Sequence, residues 1–164
     1  MATTALGDSP AHTVGELPAV GSPAPAFTLV ADDLSTFTLE DLSGRTVLNI
    51  FPSIGTGVCQ ASVRKFNELA SSLENTTVVD VSVDLPFAQV GFCAAEGLEN
   101  VKVGSAFRST FGADYGVTLT DSKFEGLLAR AVVVVGEDGH VLHTELVPQI
   151  GQEPDYDAAI AALK

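Results

Sequence analysis

Apolar and polar positions change period along this chain, and the changes separate predicted strands from predicted helices. Apolar runs typical of buried strands occupy 46–51, 78–83 and 131–135. Apolar residues at spacings of three to five predict a helix over 57–73, and a segment with proline in its first turn predicts another over 86–96. Weaker patterns predict three more strand regions, a hairpin of 27–30 with 37–39 and strands at 101–103 and 140–147. They also predict a short helix or irregular turn at 105–115 and a terminal helix that begins at 153–155.

The order of these elements predicts one α/β domain over 1–164. Strands that alternate with helices favour a layered sheet, and the late hairpin around Gly136–Gly139 adds antiparallel strands, so we expect a mixed sheet flanked by helices. Residues 1–26 are rich in Pro, Gly, Ala and Thr. Their short apolar pieces, His12–Val14 and Leu17–Val20, predict an N-terminal hairpin or extended arm.

Composition excludes several classes of protein. The chain is 46% hydrophobic, which is too much for a disordered protein, and no apolar run approaches the ~18 residues of a membrane-spanning helix. Twenty-one acidic residues against eight basic ones give a net charge of −13. We therefore expect no binding to nucleic acid or to anionic membranes, because both would repel the chain.

The two cysteines are too few for a disulfide scaffold. Residues 1–26 contain neither the positive segment nor the apolar core of a secretory signal, so the expected compartment is the cytoplasm. In that compartment a pair of cysteines more often serves chemistry than structure.

Cys59 is the first candidate for chemistry. It lies between a predicted strand and a predicted helix, and if Thr56 is the N-cap, Cys59 is the third residue of the helix. Free backbone N–H groups and the positive end of the helix dipole favour a thiolate there. No acidic residue occurs between Asp41 and Glu68. A buried structural cysteine is the alternative, since free cysteines are often buried.

Three further sets of residues leave alternatives open. Cys93, on the second predicted helix, is a thiol that captures an oxidised Cys59, a buried cysteine, or half of a structural disulfide. Arg130, directly before the 131–135 strand, marks either a site or a solvated strand end. His140 and His143 would point to opposite faces of a strand, so we expect no metal site there.

These residues resemble a known family. Pro52, Thr56 and Cys59 match the P-x-x-x-T/S-x-x-C signature of peroxiredoxins, and NIFPSIGTGVC followed by SVRKFNELA is similar to their thiol peroxidase subfamily, the atypical two-cysteine type. DLPFAQ with the following FC resembles that subfamily's resolving-cysteine helix, and GLLARAVVV its arginine-bearing strand. The similarity extends from HTVGELPAVGSPAPAFTLV to EPDYDAAIAAL, nearly the whole chain.

The resemblance implies a thioredoxin-like fold with an N-terminal β-hairpin and a homodimer. It implies reduction of hydrogen peroxide and organic hydroperoxides without a metal or prosthetic group, with thioredoxin as the reductant. By the same resemblance Cys59 is the peroxidatic nucleophile and Cys93 the resolving thiol. Thr56 and Arg130 hold the thiolate and the peroxide oxygens, and Pro52 shields the pocket.

Two positions depart from the subfamily pattern. Gly55 stands where Asp is usual and Gly91 where Arg is usual, and a glycine inside a helix costs about 1 kcal/mol relative to alanine.

Two other functions are weighed against a peroxidase. A thiol–disulfide oxidoreductase typically has a C-x-x-C pair, but Gln60, Ala61 and Ser62 follow Cys59. A non-enzymatic dimeric binding module would carry two inert cysteines.

Overall fold

The computed structural model describes all residues from Met1 to Lys164. Nine strands and four α-helices follow one another along the chain, with one 3₁₀ turn at Leu39–Asp41: β1 Thr3–Leu6, β2 Ser9–His12, β3 Thr28–Val30, β4 Thr36–Thr38, β5 Arg45–Ile50, α1 Gly57–Ala70, β6 Thr76–Ser82, α2 Pro86–Glu96, β7 Lys102–Ser105, α3 Phe111–Asp114, β8 Ala131–Val135, β9 Val141–Leu146 and α4 Tyr156–Ala161.

Seven strands form one mixed sheet in the order β4-β3-β7-β6-β5-β8-β9. The central strands β5, β6 and β7 are parallel, and α1 and α2 make the crossovers between them. The pairs β3–β4, β3–β7, β5–β8 and β8–β9 are antiparallel, which confirms the predicted mixed α/β sheet. None of the helices combines the length and the apolar character that a membrane-spanning segment requires.

Strand β8 is apolar on both faces because the sheet is covered on both. Along β8, Val133 and Val135 belong to the larger core cluster with Phe27 and Phe111, whereas Val132 and Val134 belong to a second cluster with Phe66 of α1. Successive strand residues point to opposite faces, so a strand buried on both sides tends to carry apolar residues at every position, and the buried polar residues Asn49 and Asp80 of β5 and β6 bond each other instead. This explains the unbroken run at 131–135.

The predicted N-terminal hairpin within residues 1–26 is confirmed, but its strands are not the two apolar pieces from which it was predicted. Its strands are β1 and β2, joined by a turn in which Gly7 has φ 63°, a left-handed conformation that glycine adopts freely. Neither His12–Val14 nor Leu17–Val20 forms a hairpin strand beyond the last residue of β2. The true strands are short and polar, so they carry little of the period-two signal from which strands are predicted.

The helices around the site begin where they were predicted. α1 starts after its N-cap Thr56 but ends at Ala70, three residues before the predicted end. α2 spans the predicted residues, and Gly97, with a φ of 70°, is its C-cap directly after Glu96. Within 105–115, predicted as a short helix or an irregular turn, only the single turn of α3 is helical. The last helix, α4, begins after Asp155, whose side chain accepts a hydrogen bond from the Ala158 N–H.

Candidate active site

Cys59 lies in the first turn of α1, directly beyond the carboxyl end of the central strand β5. With Thr56 as N-cap it is the third helical residue, where backbone N–H groups lack partners within the helix. Its side chain is fully buried in a small apolar cluster with Phe51, Ile54 and Val63. The thiol therefore meets the positive end of a helix dipole in surroundings that water does not screen.

Arg130 brings a positive charge to this thiol from across the sheet. It precedes β8, which pairs with β5, and its side chain is 2% exposed. Its Nη2 donates to Cys59 Sγ at 3.2 Å, and its Nε donates to the Ile150 carbonyl oxygen at 2.7 Å. The buried Nη1 has no protein partner. A guanidinium held in this way places its positive charge beside the sulfur and leaves the N–H groups of Nη1 for a second acceptor.

The segment between β5 and α1 contains an internal hydrogen bond between Thr56 and Ser53. Thr56 Oγ1 donates to the Ser53 carbonyl oxygen at 3.2 Å instead of capping α1. Gln60 Nε2 donates to the Ile54 carbonyl oxygen at 3.1 Å. Pro52 is buried at the start of the segment. Of the residues that the sequence singled out, Cys59 and Arg130 are in contact, and Thr56 and Pro52 belong to the loop that leads to them.

Asp84 is a functional candidate that the sequence analysis missed. Its carboxylate accepts hydrogen bonds from Ser53 Oγ at 2.8 Å, Ile54 N–H at 2.7 Å and Ser82 Oγ at 2.6 Å. It does not cap α2, whose N-cap is Leu85. The available signal was topological, because Asp84 follows β6 and the carboxyl ends of adjacent parallel strands meet at one edge of a sheet.

Cys93 lies on α2, half-buried, and packs against the cluster that contains Cys59. Both cysteines are free thiols in this structure. Burial, with a smaller contribution from the negative charge of Asp80, raises the pKa of the Cys93 thiol to about 11. Cys93 is therefore protonated at neutral pH while α2 is folded.

A single side chain of α1 contacts α2 on both sides of Cys93. Arg64 lies over the Phe92 ring at 5.3 Å from its centroid and forms an ion pair with Glu96. Both contacts are partly exposed, so each contributes at most about 1 kcal/mol. They hold α2 against α1 without locking it in place.

A buried polar network lies beneath the nucleophile. Asn49 Nδ2 donates to Asp80 Oδ1 at 3.0 Å and approaches Ser62 Oγ at 3.3 Å, and Ser62 Oγ donates to the Cys59 carbonyl oxygen at 2.8 Å. Burial raises the pKa of Asp80 to about 8. The buried atoms Asp80 Oδ2 and Asn49 Oδ1 have no hydrogen-bond partner in the structure, and a proton on Asp80 makes its carboxyl group a donor as well as an acceptor.

Features outside this region carry no matching chemistry. A cavity of about 840 Å³ between Phe27, Arg108 and Gly136–Gly139 contains neither cysteine. No group of three or more His, Cys, Asp or Glu side chains is arranged to hold a metal ion, and His140 and His143 are not part of one.

The chain is similar to known proteins over nearly its whole length. The family model described as Redoxin matches residues 19–160. Thiol peroxidase of Mycobacterium tuberculosis is 58% identical over 99% of each chain, and thiol peroxidase of Corynebacterium glutamicum is 57% identical over the same share. A peroxiredoxin-like protein from Aquifex aeolicus superimposes with a TM-score of 0.90 at 36% identity, covering 98% of this chain and 95% of the other.

Proposed function

This chain belongs to the Redoxin family, within it to the thiol peroxidases of the peroxiredoxins, and from that premise we propose that Cys59 reduces hydrogen peroxide and organic hydroperoxides and that Cys93 resolves the product. The observation that carries the proposal is the 3.2 Å contact between Arg130 Nη2 and Cys59 Sγ, with Nη1 of the same guanidinium unpartnered. A buried cation with a spare donor beside a thiol suits a reaction in which negative charge moves from sulfur to a leaving oxygen.

In the first step the Cys59 thiolate attacks one peroxide oxygen. The S–O bond forms as the O–O bond breaks, sulfur is oxidised to sulfenic acid, and the leaving oxygen departs as water or alcohol after taking a proton. Arg130 stabilises the thiolate through Nη2 and the departing oxygen through Nη1. Thr56 Oγ1, whose proton goes to the Ser53 carbonyl oxygen, accepts a hydrogen bond from the peroxide O–H through a free lone pair, and Pro52 excludes water.

In the second step Cys93 attacks the sulfenic acid sulfur, a disulfide forms, and water is released. The Cys93 thiol is half-buried and its pKa is raised to about 11, so it becomes a nucleophile only after α2 opens and exposes it to water. A dithiol reductant of the thioredoxin type then reduces the disulfide to two thiols by exchange. Opening of α2 therefore controls the second step.

The remaining expectations concern assembly and location. Leu85, Phe87 and Phe107 are exposed large apolar residues, and Leu85 and Phe87 lie at the start of α2, next to the loop that leads to Cys59. We propose that this face pairs two copies in a homodimer. Sedimentation showing only monomers at micromolar concentration would refute the dimer.

The cytoplasmic location and the single domain over 1–164 stay predictions. Cell fractionation checks the location, and a single calorimetric unfolding transition checks the single domain.

The test is peroxide consumption in the presence of thioredoxin and its reductase, with wild type, Cys59→Ser and Cys93→Ser. Cys59→Ser should abolish turnover, and most turnover persisting would refute the assignment. Cys93→Ser should still consume one equivalent of peroxide, gain one oxygen at Cys59 by mass spectrometry and then stop, because no disulfide can form. Stability of reduced Cys93→Ser should change little, whereas loss of a structural disulfide would cost about 2–5 kcal/mol.

The same assay separates the alternatives. A thiol–disulfide oxidoreductase would reduce a model disulfide faster than peroxide, and a non-enzymatic binding module would leave peroxide unconsumed. The Cys59–Arg130 contact favours the peroxidase over both.

A further inference from the structure

We propose that Asp84 is the positioning residue for the peroxidatic loop, the segment Pro52–Thr56: its carboxylate holds this loop in the geometry that aligns Cys59 for reaction. The proposal rests on the proposed function, because it assigns Cys59 as the nucleophile.

The first argument is that the loop has few other hydrogen bonds to the rest of the protein. Ser53 Oγ and Ile54 N–H donate to the two carboxylate oxygens of Asp84 at 2.8 and 2.7 Å. The remaining hydrogen bonds of the loop are within itself or with α1, such as Thr56 Oγ1 to the Ser53 carbonyl oxygen, and Ile54 also packs in the apolar cluster with Phe51. Asp84 therefore supplies the side-chain anchor that ties the loop to the neighbouring strand β6.

The second argument is that Asp84 is itself held firmly. Ser82 Oγ donates to its Oδ2 at 2.6 Å, and Gln89 Nε2 of α2 donates to the same hydroxyl at 3.1 Å. Ser105 Oγ, at the end of β7, donates to the Asp84 carbonyl oxygen. Ser82, Gln89 and Ser105 are all buried. An anchor fixed from three elements transmits the rigidity of the sheet to the loop that it binds.

The third argument is that Cys59 has no exposed surface. A small movement of the loop decides both how accessible the sulfur is and how the peroxide is oriented between Thr56 and Arg130. A displacement of about 1 Å in such a site can reduce the rate about 100-fold. Loss of the anchor should therefore raise access to Cys59 and lower its reaction with peroxide, two changes of opposite sign.

The chemistry of the three bonds suggests a rescue. In Asp84→Asn the amide oxygen can accept from Ile54 N–H and Ser82 Oγ, while its NH₂ donates to Ser53 Oγ, because a hydroxyl both donates and accepts. Asp84→Ala keeps none of these bonds. If hydrogen bonding positions the loop, Asn should rescue what Ala loses.

The experiment uses full-length reduced protein and two readouts. Rapid quench with mass spectrometry measures the second-order rate constant for oxidation of Cys59 by hydrogen peroxide. Alkylation by iodoacetamide, which needs no peroxidase activity, measures access to the same sulfur. We expect Asp84→Ala to oxidise about 10- to 100-fold more slowly and to alkylate several-fold faster than wild type, with Asp84→Asn within about threefold of wild type in both.

Two controls make the result specific. Asp33→Ala removes a carboxylate that also accepts from a serine hydroxyl and a backbone N–H, but in an exposed turn remote from the loop, and should leave both rates unchanged. Phe37→Leu, in the core beside Phe27, lowers global stability without touching the loop. Urea unfolding of every variant ranks their stabilities.

The outcomes separate the positioning role from the proposed function. If Asp84→Ala matches Asp33→Ala, if Asn fails as fully as Ala, or if an equally destabilised Phe37→Leu reproduces the oxidation defect, the positioning role is wrong. If wild type itself is not oxidised at Cys59 by peroxide, the proposed function is wrong, and the alkylation rates still report whether Asp84 holds the loop.

Discussion

Replacing Gly91 by alanine should slow disulfide formation between Cys59 and Cys93. Gly91 lies inside α2, two residues before Cys93, and is exposed. A Cβ built there meets no atom within 4 Å, and the backbone is not in the left-handed region, so alanine fits without strain. The substitution changes the tendency of α2 to stay helical and leaves its packing unchanged.

The magnitude follows from helix propensity. Alanine is favoured over glycine in a helix interior by about 1 kcal/mol, which corresponds to about a fivefold change in an equilibrium constant. Because Cys93 is half-buried and protonated while α2 is folded, resolution passes through an opened form of α2. A fivefold smaller population of that form should lower the rate of disulfide closure about fivefold. Sulfenic acid then persists, and over-oxidation of Cys59 should rise by a similar factor.

The assay oxidises reduced protein with one equivalent of peroxide, quenches with a thiol-blocking reagent over time, and counts disulfide by mass. The chain has no tryptophan, so the conventional fluorescence signal is absent. Gly151→Ala is the matched control, since a Cβ there also meets nothing within 4 Å and the residue lies outside any helix. Its closure rate should equal that of wild type.

One result would refute the reasoning directly. If Gly91→Ala unfolds at higher urea concentration than wild type but closes its disulfide at the wild-type rate, α2 does not open before resolution. If stability does not rise at all, the assumption that Gly91 weakens α2 is wrong.

Two further predictions concern neighbouring contacts. Arg64→Ala removes the contacts with Phe92 and Glu96, so it should loosen α2 and speed disulfide closure up to about fivefold; a slower closure would contradict this. The pKa of Asp80 is about 8 in the folded protein and 3.8 in the unfolded chain, so between these values the folded state holds a proton that the unfolded chain releases. The free energy of unfolding therefore falls as pH rises from 4 to 8, by up to about 1.4 kcal/mol per pH unit from this group. Asp80→Asn removes this term, so its urea midpoint relative to wild type should rise from pH 5 to pH 8; a constant difference would exclude the buried acid.

Local sequence determined the elements whose signals lie within a few residues. The helix α2 was bounded correctly because Pro86 suits its first turn and Gly97 adopts the left-handed conformation that ends it. The run at 131–135 identified β8 because all five residues of this strand are buried and apolar. The spacing from Thr56 to Cys59 placed the thiol at the third residue of α1. Each inference needs only helix or strand geometry.

Tertiary structure decided everything that depends on residues distant in sequence. The N-terminal hairpin is held by partners more than 100 positions away, such as Thr4 Oγ1 with the Val147 carbonyl oxygen and His12 N–H with Asp121, so its strands show little pattern of their own. Arg130 contacts Cys59 because β8 pairs with β5. Asp84 accepts hydrogen bonds from the peroxidatic loop because β6 lies beside β5. Sequence supplied the reactive groups, but distances and burial follow from strand pairing and packing, which bring together groups that no short-range pattern connects.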